Sequence, residues 1–323
     1  MPNTSIRGHF VWHELMTSDT KSAERFYARV VGWTPEAWGQ DPSYKMWMAG
    51  GRPMGGLMGI PRGEGTPPPP QWFCYIGTPD VDATVRQAVE LGGKVMKPAQ
   101  DLPTVGRFAF LFDPQGAAFA AFTPAPSSMP RNAGEPGLAD FSWHELATTN
   151  WQAAWDFYSK LFGWQKTSAM DMGPQGTYQM FGLDGRVLGG MYSSTVLPGP
   201  PSWLPYALVP DSKRAAAVVK QVGGTIVNGP MEVPGGDWIV MGRDPQGVAF
   251  AVHSKKPAAA AAAAPKASGA ARRRQTSPAP KTARKRATTK ARPARKRAAA
   301  KRSGTKRKPA RRSARKPRTN WRR

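Results

Sequence analysis

The chain has 323 residues, room for two domains, and its net charge of +25 is very unevenly placed: 27 of the 46 Lys and Arg lie between Lys255 and Arg323, a stretch with no Asp or Glu. The first 254 residues are thus close to neutral, and the basic character belongs to an appendage and not to the fold. A single cysteine, Cys74, excludes an internal disulfide, and the absence of any apolar run of membrane-spanning or signal length sets an expectation of a soluble cytoplasmic protein, with a bacterial origin suggested by the Ala, Arg, Pro and Gly content.

His9 to Met16 alternates, is rich in aromatics and is closed by Thr17-Ser18-Asp19, which predicts a strand. Asp19 caps a helix to about Val30, with Ala23, Phe26, Tyr27 and Val30 on one face, and Gly32 ends it. Tyr44 to Met48 and Pro53 to Ile60 read as short strands, and Pro61 to Pro70 as a proline-rich loop. Then follow a strand from Gln71 to Gly77, a helix from Asp80 to Leu91 stopped by Gly92-Gly93, and a short strand from Lys94 to Pro98. A hairpin of Arg107–Phe112 and Ala117–Phe122 turns on Asp113-Pro114-Gln115-Gly116.

The pattern then repeats at an offset of 131 residues. Trp12-His13-Glu14-Leu15 returns as Trp143-His144-Glu145-Leu146, Phe26-Tyr27 as Phe157-Tyr158, and Gly32-Trp33 as Gly163-Trp164. Trp72 matches Trp203, Gly92-Gly93 matches Gly223-Gly224, and the turn returns as Asp244-Pro245-Gln246-Gly247. Two homologous domains, 7–124 and 138–254, are therefore expected, joined by a Pro/Ser/Gly-rich linker over 125–137 and followed by a tail over 255–323. The second copy places its helices at Asn150–Phe162 and Asp211–Val222. The fold class is α+β: strand–helix–three-strand modules, two per domain, with curved, mostly antiparallel sheets around a concave face.

The module pattern, the Phe-Tyr on the first helix, the Gly-Trp after it and the Asp-Pro-Gln-Gly turn, occurring twice in order over 7–254, resemble the vicinal oxygen chelate superfamily, which includes glyoxalase I, bleomycin- and fosfomycin-resistance proteins and extradiol dioxygenases. The resemblance implies that paired modules close into half-open cups that hold a ligand, with a divalent metal bound by His, Gln and Glu in catalytic members. Here the chain departs from the family. The positions that the resemblance assigns to metal ligands carry Trp12 and Trp143, Trp72-Phe73 and Trp203-Leu204, and Ala120 and Ala251. A zinc or iron centre needs three or four converging N, O or S donors. No cofactor is expected on this reading, and a divalent metal is the alternative.

Alternation puts Phe10, Trp12, Glu14 and Met16 on one strand face, and the resemblance makes it the cup face. Trp12, Glu14, Trp33 and Trp72, with Trp143, Glu145, Trp164 and Trp203, are taken as cup walls for an aromatic or planar small molecule. Glu14 and Glu145 read either as carboxyls of raised pKa that act as base or anchor, or as ordinary paired carboxylates. His13 and His144 fall on the opposite face, as hydrogen-bonded structural histidines. His253 could reach the second cup, whereas the first has Phe122 there. Cys74 reads as packing, and no catalytic residue stands out.

The tail carries Arg272-Arg273-Arg274, Arg284-Lys285-Arg286, Arg295-Lys296-Arg297 and Lys306-Arg307-Lys308 among Ala and Pro, a composition that resembles linker-histone tails. Too apolar-poor to offset ordering entropy, it is expected to be disordered and to bind DNA or RNA without sequence preference, with no membrane role and with nucleoid association as one destination. Three readings stay open: a metal-free ligand-binding protein tethered to nucleic acid; a glyoxalase-like lyase, hydroxylase or dioxygenase; and a nucleoid-associated interaction protein whose domains are scaffold.

Overall fold

The computed structural model describes residues 6–39, 41–60, 69–126, 134–194 and 199–256, all within one compact unit that spans Met1–Ala263. The first module runs β1 (Phe10–Thr17), α1 (Thr20–Val30), β2 (Thr34–Trp38), β3 (Asp41–Ala49), β4 (Arg52–Gly59). The second runs β5 (Gln71–Gly77), α2 (Val81–Glu90), β6 (Lys94–Leu102), β7 (Gly106–Phe112), β8 (Ala118–Pro124). The second half repeats both as β9 (Phe141–Thr148), α3 (Trp151–Phe162), β10 (Gln165–Asp171), β11 (Thr177–Leu183), β12 (Arg186–Ser193), and β13 (Ser202–Leu208), α4 (Ser212–Gln221), β14 (Thr225–Glu232), β15 (Trp238–Arg243), β16 (Ala249–Ser254).

Each half folds into one eight-stranded sheet, ordered β2-β3-β4-β1-β5-β8-β7-β6 and β10-β11-β12-β9-β13-β16-β15-β14. The two modules of a half join where β1 runs antiparallel to β5, and β9 to β13. Only the β1–β4 and β5–β8 pairs and their counterparts are parallel, so the sheets are mostly antiparallel. All four helices start at a side-chain cap: Asp19, Asp80, Asn150 and Asp211 each accept a backbone N–H of the first turn. The buried stripe of α1 is Ala23, Phe26, Tyr27 and Val30, the face that the spacing predicts. No described helix is long and apolar enough to cross a membrane.

Two features depart from the sequence reading. β2 and its counterpart β10 are edge strands; β2 is almost wholly exposed and contains Pro35, so it shows no alternation to read. In addition, the β1–β5 register shifts between Phe10 and Trp12. The extra residue takes Phe10 off the concave face, where simple alternation put it, and stacks its ring on His144 at 3.6 Å; Val11 packs with Trp12 on the concave side instead. The second half repeats the shift, and Phe141 stacks on His13 at 3.8 Å.

The repeated motifs meet across the boundary between the halves. Tyr27 of α1 donates to Asp244 in the turn of the other half (3.3 Å), and Tyr158 of α3 donates to Asp113 (3.2 Å). Trp72 and Trp203 donate in turn to those tyrosine hydroxyls, at 3.0 and 2.9 Å. Trp33 reaches the Ala139 carbonyl at 2.8 Å and Trp164 the Gly8 carbonyl at 2.7 Å. A methyl group on Gly224 would lie 2.6 Å from the Phe26 ring, so the Gly-Gly motif is the bare floor on which the partner half's Phe rests. Asp113 and Asp244 also each accept two backbone N–H groups of their own turn, which closes the hairpins.

Two cores follow: one holds Tyr27, Trp33 and Trp72 with Val219, Val248 and Phe250 of the other half, and the second holds Tyr158, Trp164 and Trp203 with Leu111 and Phe119. At the centre His13 and His144 share a hydrogen bond of 2.8 Å. His144 Nδ1 donates to the Leu188 carbonyl, so its Nε2 accepts from His13 Nε2–H, and both rings are neutral. Burial holds both pKa values well below the ordinary imidazole value, that of His144 at about 3.

Candidate functional site

With the helices committed to the cores between the halves, the other face of each sheet is free to form a concave wall. Glu14 and Glu145 stand on those walls. Opposite Glu14 in the β1–β4 register lies Gly56, and opposite Glu145 lies Gly190. A methyl group at either glycine would collide with the ring of Tyr44 or Tyr178. The missing side chain thus lets a tyrosine from the next strand lie flat across the sheet and reach the carboxyl. Tyr44 donates to Glu14 at 3.0 Å and Tyr178 to Glu145 at 3.1 Å. The indoles complete each chain: Trp12 Nε1 donates to the Tyr44 hydroxyl (3.1 Å) and Trp143 Nε1 to that of Tyr178 (2.8 Å).

Both carboxyls are buried, Glu14 at 5% and Glu145 at 8% exposure. Burial raises their pKa values against the lowering effect of the tyrosine hydroxyls; Lys97 also pulls Glu14 down, whereas Glu145 is pushed up to about 7. Tyr206, from the second module, presents its hydroxyl to the Glu145 carboxyl closely enough to lower that pKa, yet its Oη falls outside hydrogen-bond geometry and has no other partner among the described residues. Tyr75 is its counterpart beside Glu14. Next to Tyr178, Tyr192 stacks at 5.9 Å. The arrangement offers a protonatable carboxyl, phenol donors and flat aromatic sides, which suits a planar ligand with a polar edge.

Of the predicted wall residues, Trp12, Glu14, Trp143 and Glu145 lie on the concave faces. Trp33, Trp72, Trp164 and Trp203 do not: all four sit in the cores between the halves, where an indole both fills volume and spends its N–H on a partner. His253 is bonded to Ser142 (2.9 Å) and Asp237 (2.9 Å) at the edge of the second concave face. Cys74 is buried in a core, with its thiol pKa raised by burial. The basic clusters from Arg272 to Lys308 lie outside the described residues.

The tyrosines were the missed signal. Tyr75 and Tyr206 repeat at the offset of 131, but Tyr44 and Tyr178 repeat at 134, because the second copy is longer by the short 3-10 turn region around Gly173–Gln175.

The expected metal positions carry no coordinating set. Ala120 and Ala251 are buried beside Tyr75 and Tyr206, and the carboxyls of Glu14 and Glu145 are already engaged by tyrosine. Among the described residues no three His, Cys, Asp or Glu side chains converge as a metal site, so the residues present do not fit the centre that the family implies.

The description Glyoxalase/Bleomycin resistance protein/Dioxygenase superfamily matches residues 7–120 and 141–252. CFP32 of Mycobacterium tuberculosis, which carries a provisional glyoxylase name, is 30% identical over 250 residues, covering 76% of this chain and 94% of its own. The anthracycline biosynthesis protein DnrV of Streptomyces peucetius is 28% identical over 257 residues, covering 75% and 91%. Among solved structures, the Mn(II)-bound glyoxalase from Novosphingobium aromaticivorans superposes with a TM-score of 0.53 at 19% identity, over 77% of this chain and 83% of that one. The last is a likeness of fold alone; the family match over both halves carries the assignment, and the chain belongs to the glyoxalase/bleomycin resistance protein/dioxygenase superfamily, as two tandem domains.

Proposed function

We propose that this protein binds a planar aromatic small molecule at a concave sheet face without a resident metal, and that its cationic C-terminal segment tethers it to nucleic acid. The observation that carries the first part is the side-chain set at Glu145: one carboxyl with a pKa of about 7, tyrosine and tryptophan around it, and, among the described residues, no group of three His, Cys, Asp or Glu that could hold a cation. The family resemblance supports a ligand in this place. DnrV's name points the same way, since anthracyclines are planar polycyclic aromatics. The second part rests on 27 cations without an anion from Lys255 onward.

Metal analysis of the purified full-length chain tests the first part: sub-stoichiometric zinc, nickel, manganese and iron is expected, and one tightly held equivalent removed by a chelator together with an activity would overturn it. For the second part, a variant ending at Lys256, whose backbone N–H is bonded to Asp237, should lose DNA retardation at physiological salt. Full-length binding should weaken by roughly three to five decades between 50 and 200 mM salt if about ten phosphates are neutralised. Retardation that survives the truncation would place nucleic-acid binding on the domains.

A second reading, a lyase, is favoured by one observation. A carboxyl that titrates near pH 7 beside phenols suits general acid–base work. Glyoxalase-type turnover lost in Glu145→Gln would select it.

A further inference from the structure

The two concave faces share their glutamate and its tyrosine, but the walls around them differ. In the first domain Phe73, Phe110 and Phe122 are buried at 0%, 8% and 9% exposure and interlock edge to face, Phe73 on Phe110 at 5.0 Å and Tyr75 on both Phe110 and Phe122. Met16 and Ala118 close the same cluster. At the equivalent positions the second domain has Leu204, Met241 and His253, with Ala147 for Met16 and Ala249 for Ala118, and every one of these five is partly or fully exposed. Three phenylalanine rings are thus absent from the second face, and its wall is more exposed to solvent. The polar groups are alike: Tyr75 and Tyr206 each turn a hydroxyl toward their glutamate, and that of Tyr206, buried at 1% exposure, makes no well-formed hydrogen bond among the described residues. A buried hydroxyl without a well-formed hydrogen bond costs free energy that a ligand's carbonyl oxygen would recover.

We infer that the second domain's concave face alone takes the ligand, that the ligand is a planar neutral aromatic ketone whose oxygen accepts from Tyr206, and that the first face has become a packed apolar wall. This rests on the ligand-binding reading above and names its site and chemistry. Trp143, Tyr178 and Tyr192 supply the flat sides, and the protonated form of Glu145 supplies a second donor beside Tyr206. The first face contributes rigidity: its phenylalanines hold β5, β7 and β8 together from the concave side.

The test uses the full-length chain with 9-fluorenone, and with fluorene as the same ring system without the carbonyl, followed by quenching of tryptophan emission. Fluorenone should bind more tightly than fluorene by about tenfold. Tyr206→Phe should remove that preference by weakening fluorenone about tenfold and leaving fluorene unchanged. Leu204→Phe with Met241→Phe rebuilds the first domain's wall in the second and should abolish binding; a retained melting transition shows that this variant folds. Phe73→Leu with Phe110→Met should leave affinity unchanged. Binding that persists in the filled second face, or that depends on Phe73 and Phe110, would overturn the inference and leave the ligand-binding reading standing. No binding of either probe by the unaltered chain would overturn both.

Discussion

The contacts between the halves and the walls of the concave faces differ in how far the two copies agree. At the hydrogen-bonded contacts of the cores the two copies keep the same residues: Tyr27 and Tyr158 reach Asp244 and Asp113, and Trp33 and Trp164 reach the carbonyls of Ala139 and Gly8. The concave faces share the Trp–Tyr–Glu chain but part company around it, as at Phe73 against Leu204 and Phe122 against His253. Identity at these contacts follows from packing: α1 and α3 must each fit a turn and a bare glycine of the other half, so the same solution serves twice. The walls of the faces lack that constraint, and on the proposed reading their side chains answer to a ligand.

The sharpest way to break this contrast is to truncate a core tryptophan. Trp164→Ala removes a buried indole, its stacking on Phe181 and its bond to Gly8, and should cost about 3–5 kcal/mol in denaturant unfolding. Trp12→Ala, on a half-exposed face, should cost clearly less. Equal losses would erase the distinction.

Next in size is the carboxyl of the second face. Its folded pKa is raised, so the folded state holds the proton more tightly and this group's contribution is complete below pH 4.5 and lost as pH rises through about 7. Glu145→Gln should therefore gain roughly 2–3 kcal/mol on the unaltered chain between pH 4.5 and pH 8. A pH-independent difference would mean that Glu145 titrates normally.

The central histidines carry the opposite sign. Their folded pKa values are depressed, so their contribution is complete above the ordinary imidazole value and falls with acid, down to about pH 3 for His144. His144→Leu should remove a slope of up to about 1.4 kcal/mol per pH unit in this window. Chemical denaturation at several pH values separates this slope from that of Glu145, since the two run in opposite directions.

The smallest effect is polar. Tyr27→Phe leaves Trp72 Nε1 without its acceptor and removes a donor from Asp244, which should cost about 1–2 kcal/mol, and Tyr158→Phe should match it. Unequal costs would show that the two cores are not equivalent.

Much of this architecture was legible in the sequence. Asp19, Asp80, Asn150 and Asp211 announce the helices, and the spacing of Ala23, Phe26, Tyr27 and Val30 gives the buried stripe of α1. Alternation through Trp12, Glu14 and Met16 puts the glutamates on the concave faces. What escaped has physical causes. Alternation assumes an unbroken count, and one extra residue before Trp12 turns Phe10 to the other side. An edge strand such as β2 buries too little to leave a pattern. A tryptophan fits a core and a ligand wall equally well, so composition does not reveal that Trp33, Trp72, Trp164 and Trp203 belong to the cores. The tyrosine on each glutamate depends on the glycine beneath it, a contact between strands that no single strand reveals.

A crystal structure of the full-length chain grown with 9-fluorenone tests the central claim most directly. The account predicts density for the rings against Trp143 and Tyr178, with the ketone oxygen within hydrogen-bond distance of Tyr206, and the first face filled by its own phenylalanines. Density on the Glu14 face instead, or a coordinated metal ion on either face, would contradict it.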